Sequence, residues 1–315
     1  MSGVIVNKGL HDLPRDGVPR SVTIGKFDGV HRGHKTVIDQ LVNQAGELES
    51  TVITFDRHPH SLIRPDEAPQ PVVSDEQKVE LLAAAGVQRV VILPFDDELS
   101  HLSPREFSER VLAQGLSATR VLVGGDFRYG HGGVGDIQTL QGEGVEFGFG
   151  VEVIADVCES GGTRVSSTMI RGLLEAGRVV EVSDLLNRRH QVRGVVGSGH
   201  QRGRVMGYPT ANLSGDLEGY VPADGVYATI VVVDNQEYGA ATSIGLNPTF
   251  NDVTTRTIES HLFDTTLDLY GTTISVEFVE FIRGMQKFDS ADTLAKQMGV
   301  DEAKIRQILE SHTAP

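Results

Sequence analysis

Cysteine is nearly absent from this chain, since Cys158 is the only one among 315 residues. No intrachain disulfide can form, which is typical of proteins that work in a reducing compartment. Residues 1–10 contain no apolar run like that of a signal peptide, and no run of about 18 apolar residues suited to crossing a membrane occurs. We therefore expect a cytoplasmic protein without a membrane-spanning segment.

Basic residues are also scarce, with 28 Lys and Arg against 43 Asp and Glu and a net charge of −15. A broad nucleic-acid surface or a site for anionic lipid needs an excess of Lys and Arg, so neither partner is expected. A small polyanion such as ATP can still bind, because backbone N–H groups, a few basic side chains and a divalent cation act locally.

The length and the patterning predict two domains, residues 1–186 and 187–315, with 187–190 as the linker. In the first part, short β-branched runs alternate with helical segments, which predicts a parallel α/β sheet. Capping boxes are expected at Ser74–Gln77 and Ser103–Glu106. The predicted strands are 22–25, 51–55, 89–93, 120–123 and 147–154.

From Gln191 to Phe281 the pattern changes to β-type runs separated by turns, at 192–196, 226–233 and 273–281. This predicts an antiparallel barrel or sandwich. The end of the chain is expected to be helical, with Ser290 and Asp301 as N-caps.

The first chemical motif is the segment 25–34, Gly-Lys-Phe-Asp-Gly-Val-His-Arg-Gly-His, between a predicted strand and a predicted helix. Its glycines let backbone approach a ligand, and the helix start offers free N–H groups to a phosphate. His31 and His34 can donate hydrogen bonds from the same place, which suits nucleotidyl transfer. The alternative is a metal-site fragment or plain loop residues, but no third ligand with zinc-type spacing follows.

Ser166, Ser167 and Thr168 crowd a second predicted helix start, and Arg171 lies about one turn further on. Hydroxyls and N–H groups at such a start, with one Arg, can bind an anion. Taken alone, a simple capped helix with a surface Arg is the better interpretation. Together with the histidine motif, two helix starts that face one triphosphate account better for both segments.

The second half opens with a glycine-rich stretch that contains Gly199, Arg202, Gly203 and Arg204, a composition suited to covering ATP phosphates. It is not a Walker A loop, because the Gly-Lys-Ser/Thr end is missing. Residues 209–212, Pro-Thr-Ala-Asn, follow it. They could form an ordinary turn, but they also supply the oxygen ligands that Mg²⁺ takes.

These motifs together resemble the bacterial bifunctional riboflavin kinase/FAD synthetase family over residues 20–310. The resemblance rests on segment 25–34, on 123–130, on 166–171, on Pro-Thr-Ala-Asn and on Arg-Thr-Ile-Glu-Ser-His at 256–261. It implies a Rossmann-like nucleotidyltransferase domain followed by a riboflavin kinase-like β-barrel. It also implies two reactions that each use ATP, riboflavin to FMN and FMN to FAD, with Mg²⁺ as the cofactor.

The resemblance also implies roles for single residues. Glu259 falls on the catalytic base of the kinase, and Thr210 and Asn212 on its metal ligands. His31 and His34 would stabilise the adenylyl-transfer transition state. Phosphate or ATP contacts are implied for Gly25, Phe27, Ser166, Ser167, Thr168, Arg171, Gly199, Arg202, Gly203 and Arg204, and flavin contacts for Asp126, Phe127 and Arg283.

The chain departs from the family pattern at His200, where an acidic residue is common, and at 187–190, which lacks the usual junction. Asp126 stands at a position where the family has Asn or Asp. Two alternatives stay open: a nucleotidyltransferase for another phosphorylated acceptor, which would lack the kinase half, and a flavin sensor with a decayed site. The oligomeric state is also open.

Overall fold

The structure is a computed structural model, and it describes residues 3–57, 69–154, 164–197, 209–248, 254–265 and 267–313. The chain folds as two compact units, Met1–Ser167 and Thr168–Pro315. The predicted domain boundary between residues 186 and 187 lies later, after two helices that pack with the second unit, and it stays a prediction about the functional domains.

The first unit is built on a six-stranded sheet in which every paired neighbour is parallel. Its order is β1-β4-β3-β2-β5-β6. The strands are β1 (Ile5–Lys8), β2 (Arg20–Ile24), β3 (Glu49–Phe55), β4 (Arg89–Leu93), β5 (Ala118–Gly124) and β6 (Gly150–Ile154). The helices are α1 (Arg32–Asn43), α2 (Asp75–Ala84), α3 (Asp97–His101), α4 (Pro104–Phe107), which continues as a π-helix over Ser108–Ala113, and α5 (Ile137–Phe147).

Every residue of β2 and β4 is buried, because helices cover both faces of the sheet. Successive strand residues therefore face two separate cores. Val52 packs with Ile38 of α1 on one face, whereas Ile53 packs with Val111 and Leu140 on the other. The predicted parallel α/β fold is confirmed.

Both predicted capping boxes form. The Ser74 hydroxyl accepts from the N–H of Gln77, and the Ser103 hydroxyl accepts from the N–H of Glu106. The prediction of a strand from residue 147 was wrong at its start, since Phe147 ends α5. Gly148 follows with φ 87°, a left-handed conformation that terminates the helix before β6 begins.

The second unit contains a closed six-stranded barrel in the order β10-β11-β8-β7-β12-β9, with antiparallel pairing throughout. This resolves the earlier choice between barrel and sandwich. The strands are β7 (His190–Gly197), β8 (Ala211–Glu218), β9 (Gly225–Val233), β10 (Gln236–Pro248), β11 (Thr254–Leu262) and β12 (Thr273–Arg283). Two helices precede the barrel, α6 (Ser167–Glu175) and α7 (Val179–Leu186), and α8 (Ala291–Thr313) follows it.

The C-terminal helix starts as expected, because the Ser290 hydroxyl accepts from the N–H of Thr293. The prediction of Asp301 as a second N-cap was wrong, since α8 runs through it without a break. Its carboxylate instead binds the Arg283 guanidinium through both oxygens. None of the described helices is both long and apolar enough to cross a membrane.

Candidate active sites

The loop of the histidine motif leaves the sheet at the carboxyl end of β2. The N–H of Gly25 donates to the Ile53 carbonyl at 3.0 Å, and the Thr54 hydroxyl donates to the Lys26 carbonyl at 2.9 Å. The loop therefore stays attached to β3 as it turns towards α1. In open α/β sheets, ligands bind in the crevice at the carboxyl ends of the strands.

The backbone of this loop is strained and held in place. Phe27 and Val30 have φ of 46° and 43°, left-handed values that such side chains adopt only when the surroundings require it. Asp28 holds the loop from two directions. Its carboxylate accepts from the N–H of Val72 at 2.7 Å, and its carbonyl accepts from the Ser167 hydroxyl at 2.9 Å.

His31 and His34 meet at the start of α1. His31 is the N-cap residue, and its Nδ1 accepts from the N–H of His34 at 3.3 Å. The two rings stack with centroids 3.6 Å apart, and the Phe27 ring meets His34 edge-on at 5.2 Å. Because Nδ1 of His31 accepts, its Nε2 carries the proton in the neutral ring and is the donor.

His34 is held neutral. Burial lowers its pKa well below the usual value, and the neighbouring His31, Arg164 and Lys78 lower it further. Its Nδ1 atom is buried and has no hydrogen-bond partner among the residues that the structure describes. His34 can therefore supply a fixed, uncharged N–H donor rather than a full positive charge.

Two basic side chains near His34 were not identified as site residues from the sequence. Lys78 is buried, and its Nζ donates to the Phe55 carbonyl at 3.1 Å and to Asp75 at 2.9 Å. Arg164 binds Asp126 through the two terminal nitrogens of its guanidinium, and this hydrogen bonding lowers the pKa of the Asp126 carboxyl. The one signal in the sequence was the place of Arg164, two residues before the serine motif.

Asp126 and Phe127, the predicted flavin-side residues, lie in the turn after β5. Asp126 is exposed, and the Phe127 ring stacks on Tyr129 with centroids 5.4 Å apart. The sheet order places β5 beside β2, so the turn after β5 emerges at the same edge as the histidine loop.

The serine motif lies at the start of α6, as expected. The Ser167 hydroxyl is the one that binds the Asp28 carbonyl, so this start is attached to the histidine loop. One turn on, the Arg171 guanidinium donates to the Thr168 hydroxyl at 3.3 Å. Ser166 precedes the helix and is half-buried.

The barrel aligns the predicted kinase residues across neighbouring strands. Glu259 of β11 lies directly opposite Asn212 of β8, and Asn212 lies opposite Gly197 of β7. Directly opposed residues share one face of a sheet, with Cβ atoms about 4.5–5.5 Å apart. Their chain neighbours Leu213 and Ile258 are buried inside, so Asn212 and Glu259 lie together on the outer face of the barrel.

Thr210 joins this group through Asn212. The Asn212 amide nitrogen donates to the Thr210 carbonyl at 3.3 Å and to its hydroxyl at 3.2 Å. The glycine-rich stretch that continues from Gly197, including Gly199, His200, Arg202, Gly203 and Arg204, lies outside the described residues.

Arg283, the third predicted flavin contact, forms an ion pair with Asp301. Its half-buried guanidinium binds the buried carboxylate of Asp301 at 2.7 Å and lies 5.8 Å from the Phe288 ring centroid. This geometry attaches α8 to the end of β12.

Comparison with known proteins decides the family. A model of FAD synthetase matches residues 14–169, and a model of riboflavin kinase matches residues 186–309. The bifunctional riboflavin kinase/FMN adenylyltransferase of Pseudomonas fluorescens is 36% identical over 303 residues, which are 96% of each chain. The chain belongs to this bifunctional family. Its Escherichia coli K12 member is 35% identical over 307 residues, 95% of this chain and 96% of its own.

A solved structure supports the fold over nearly the whole chain. A crystal structure from Streptococcus pneumoniae, described as a macrolide-efflux protein, has a TM-score of 0.86 and 31% identity. It covers 96% of this chain and 99% of its own. The predicted architecture, an α/β nucleotidyltransferase unit followed by a kinase barrel and a C-terminal helix, is therefore confirmed.

ATP-dependent kinases and adenylyltransferases of this kind require a divalent metal ion. No group of three or more His, Cys, Asp or Glu that could hold a metal occurs in the described parts of the chain. The oxygens of Thr210 and Asn212 still fit a hard divalent cation that takes its other ligands from phosphates and water.

Proposed function

We infer that the chain makes flavin cofactors in two ATP-dependent steps. It phosphorylates riboflavin to FMN and then adenylylates FMN to FAD, with release of pyrophosphate. The observation that carries this conclusion is the match of both family models, in order, to units whose folds differ. An enzyme for another phosphorylated acceptor would not account for the kinase barrel.

In the kinase step, Glu259 is the general base for the primary hydroxyl of the ribityl chain. Its position opposite Asn212 supports this role, because a base must lie beside the bound phosphates to deliver an oxygen nucleophile to the γ-phosphoryl group. Thr210 and Asn212 would hold the divalent ion, which we propose is Mg²⁺. When bound, that ion would neutralise negative charge on the phosphates. The stretch with Gly199, Arg202, Gly203 and Arg204 would cover the phosphates.

In the adenylyl-transfer step, His31 and His34 donate hydrogen bonds to the α-phosphoryl oxygens, where negative charge builds up. The Nδ1 contact of His31 supports this, because it directs the Nε2 proton away from the helix backbone. Fixed donors need no reorganisation during the reaction. Positioning and electrostatic stabilisation of this kind account for most of the rate enhancement in phosphoryl transfer.

We propose that Ser166, Ser167, Thr168 and Arg171 bind ATP phosphates, and that Gly25 and Phe27 border the nucleotide. Asp126, Phe127 and Arg283 are proposed to lie near the flavins. The engagement of Arg283 by Asp301 limits that residue to shaping its site. ATP, riboflavin, FMN and FAD are the small-molecule partners, and we place the enzyme in the cytoplasm, with neither nucleic acid nor membrane as a partner.

The test is a chromatographic assay of both products in one preparation. Purified protein is incubated with riboflavin, ATP and Mg²⁺, and FMN and FAD are separated over time. We expect FMN to appear first and FAD to follow. If folded protein forms neither product, the proposed enzymatic activity is wrong and the flavin-sensor alternative is favoured.

Variants then separate the two steps. His34→Ala should abolish FAD formation and leave FMN formation unchanged, whereas Glu259→Ala should stop FMN formation but still convert supplied FMN to FAD. Each variant is the other's folding control. Loss of both activities in either folded variant would refute the division between the units.

A further inference from the structure

A short segment of the second unit, residues 220–224, is hydrogen-bonded from the barrel on several sides; we name it the anchor segment. The Nε2–H of His190 donates to the Tyr220 carbonyl at 2.6 Å, and the Tyr227 hydroxyl donates to the Ala223 carbonyl at 2.6 Å. His190 and Tyr227 are almost completely buried, so these contacts start from fixed points in β7 and β9.

A third strand holds the same segment. The guanidinium of Arg256, in β11, binds the Asp224 carboxylate at 2.6 Å. It also donates to the carbonyls of Val221, at 3.4 Å, and Pro222. Arg256 lies three residues before Glu259, so the strand that carries the proposed kinase base also fixes the anchor segment.

The anchor segment in turn binds the end of helix α6. The N–H of Ala223 donates to the carbonyl of Leu174 at 2.9 Å, and the Tyr220 hydroxyl donates to Glu175 at 2.6 Å. The last carbonyls of a helix have no partner within the helix. That of Leu174 accepts from the N–H of Gly177 at 3.0 Å, and Ala223 adds a second hydrogen bond from outside. Leu174 is fully buried. The end of α6 is therefore fixed to the barrel.

The other end of α6 carries Thr168 and Arg171. A helix transmits position along its length because each residue is hydrogen-bonded to the next turn, and nine residues span only roughly 13 Å. A shift or tilt at the fixed end would therefore move the hydroxyl and the guanidinium at the start.

We propose that the anchor segment of the kinase barrel positions the phosphate-binding turn of α6 for adenylyl transfer, with Tyr220 and Tyr227 as positioning residues. This inference rests on the proposed role of Thr168 and Arg171 in binding ATP. It also gives a reason why α6 packs with the second unit although the riboflavin kinase model begins at residue 186.

The test compares the full-length chain with Tyr220→Phe, Tyr227→Phe and the double variant, each of which removes a hydroxyl and keeps the ring. Tyr238→Phe is the matched control, because that hydroxyl binds only Gln236 beside its own turn, at 2.8 Å, among its described contacts. FMN and varied ATP are supplied for adenylyl transfer, and riboflavin and varied ATP for the kinase reaction.

We expect the double variant to raise the ATP KM of adenylyl transfer about five- to tenfold with little change in kcat, because two hydrogen bonds of ordinary strength are lost. The ATP KM of the kinase reaction should change less than about twofold, and the control should change neither. Equal losses in both activities, or an unchanged adenylyl-transfer KM, would overturn the inference. If the double variant does not fold, Tyr220→Phe alone decides, since its contact is at the surface.

Arg171→Gln distinguishes this inference from the function on which it rests. If Arg171→Gln leaves the ATP KM of adenylyl transfer unchanged, the phosphate role of α6 is wrong. If Arg171→Gln raises that KM and the tyrosine variants do not, the phosphate role stands and the positioning inference is refuted.

Discussion

His190 should make the second unit sensitive to mild acid. Its ring is buried at the start of β7, stacks on Phe278 and donates from Nε2 to the Tyr220 carbonyl. Burial lowers its pKa from 6.5 to about 4, and nearby Arg188 acts in the same direction, while the bond to Tyr220 opposes it. The folded barrel therefore keeps this histidine neutral where the unfolded chain would protonate it.

The direction and the size of this pH dependence of stability follow from proton linkage. Between pH 6.5 and 4 the unfolded state binds more protons at His190 than the folded state does. The contribution of His190 to the free energy of unfolding is therefore fully present above pH 6.5 and falls as the pH drops. A shift of this size corresponds to about 3 kcal/mol in total, of which about 2 kcal/mol is lost by pH 5. That is a large share of the stability of an ordinary domain, about 5–15 kcal/mol.

The measurement is urea unfolding at pH 8 and pH 5, followed by far-UV circular dichroism and by residual kinase activity. His190→Gln keeps an N–H donor for the Tyr220 carbonyl but cannot be protonated. We expect its loss of stability between the two pH values to be about 2 kcal/mol smaller than that of the unsubstituted chain. His34→Gln is the comparison in the first unit and should leave the barrel transition unchanged. An identical pH dependence with and without His190 would refute the reasoning.

Three further substitutions test single contacts. Asp126→Asn should lower the KM for FMN in adenylyl transfer several-fold, because it removes a negative charge and releases Arg164 for the FMN phosphate; a higher KM would contradict this. Asp301→Asn should cost about 3–5 kcal/mol in urea unfolding, since it leaves the Arg283 guanidinium without its buried partner. Thr242→Val should cost about 1–3 kcal/mol in the same assay, because its hydroxyl joins two other buried hydroxyls in the barrel.

The first unit was largely predictable because its signals are local. Hydrophobic runs, capping boxes and glycine stops lie within a few residues of each other, and the parallel sheet follows from their alternation. The error at Phe147 arose because an apolar residue before a glycine fits a helix end as well as a strand start. The short edge strand β1 was missed, since four residues carry too little periodicity.

The barrel was less predictable, because its pairing is not local. β10 and β11 are long strands that the sequence did not reveal, and their register brings Glu259 opposite Asn212 across 47 positions of chain. Asp301 was misread for the same reason. Its partner Arg283 is remote in sequence, and an Asp within a polar helix looks like a cap until that contact is known.

Motifs predicted the residues of the two proposed sites, but they did not show which contacts hold those residues in place. The sequence predicted the histidine loop, yet it did not show that Phe27 and Val30 adopt left-handed backbone angles. Such angles cost of order 1–3 kcal/mol each, and they persist only where the surroundings enforce them. Here Asp28 accepts hydrogen bonds from Val72 and Ser167, and both strained side chains are buried.

That cost has a consequence for the chemistry. A loop ordered by the fold presents its N–H groups and the two imidazoles before any nucleotide arrives, so substrate binding energy is not consumed in ordering it. The neutral state of His34 has the same effect, because an uncharged donor does not depend on counter-ions in a chain with a net charge of −15. The proposed anion site of this acidic protein therefore relies on backbone geometry and on the neutral ring of His34, while Lys78 and Arg164 are already paired to carboxylates nearby.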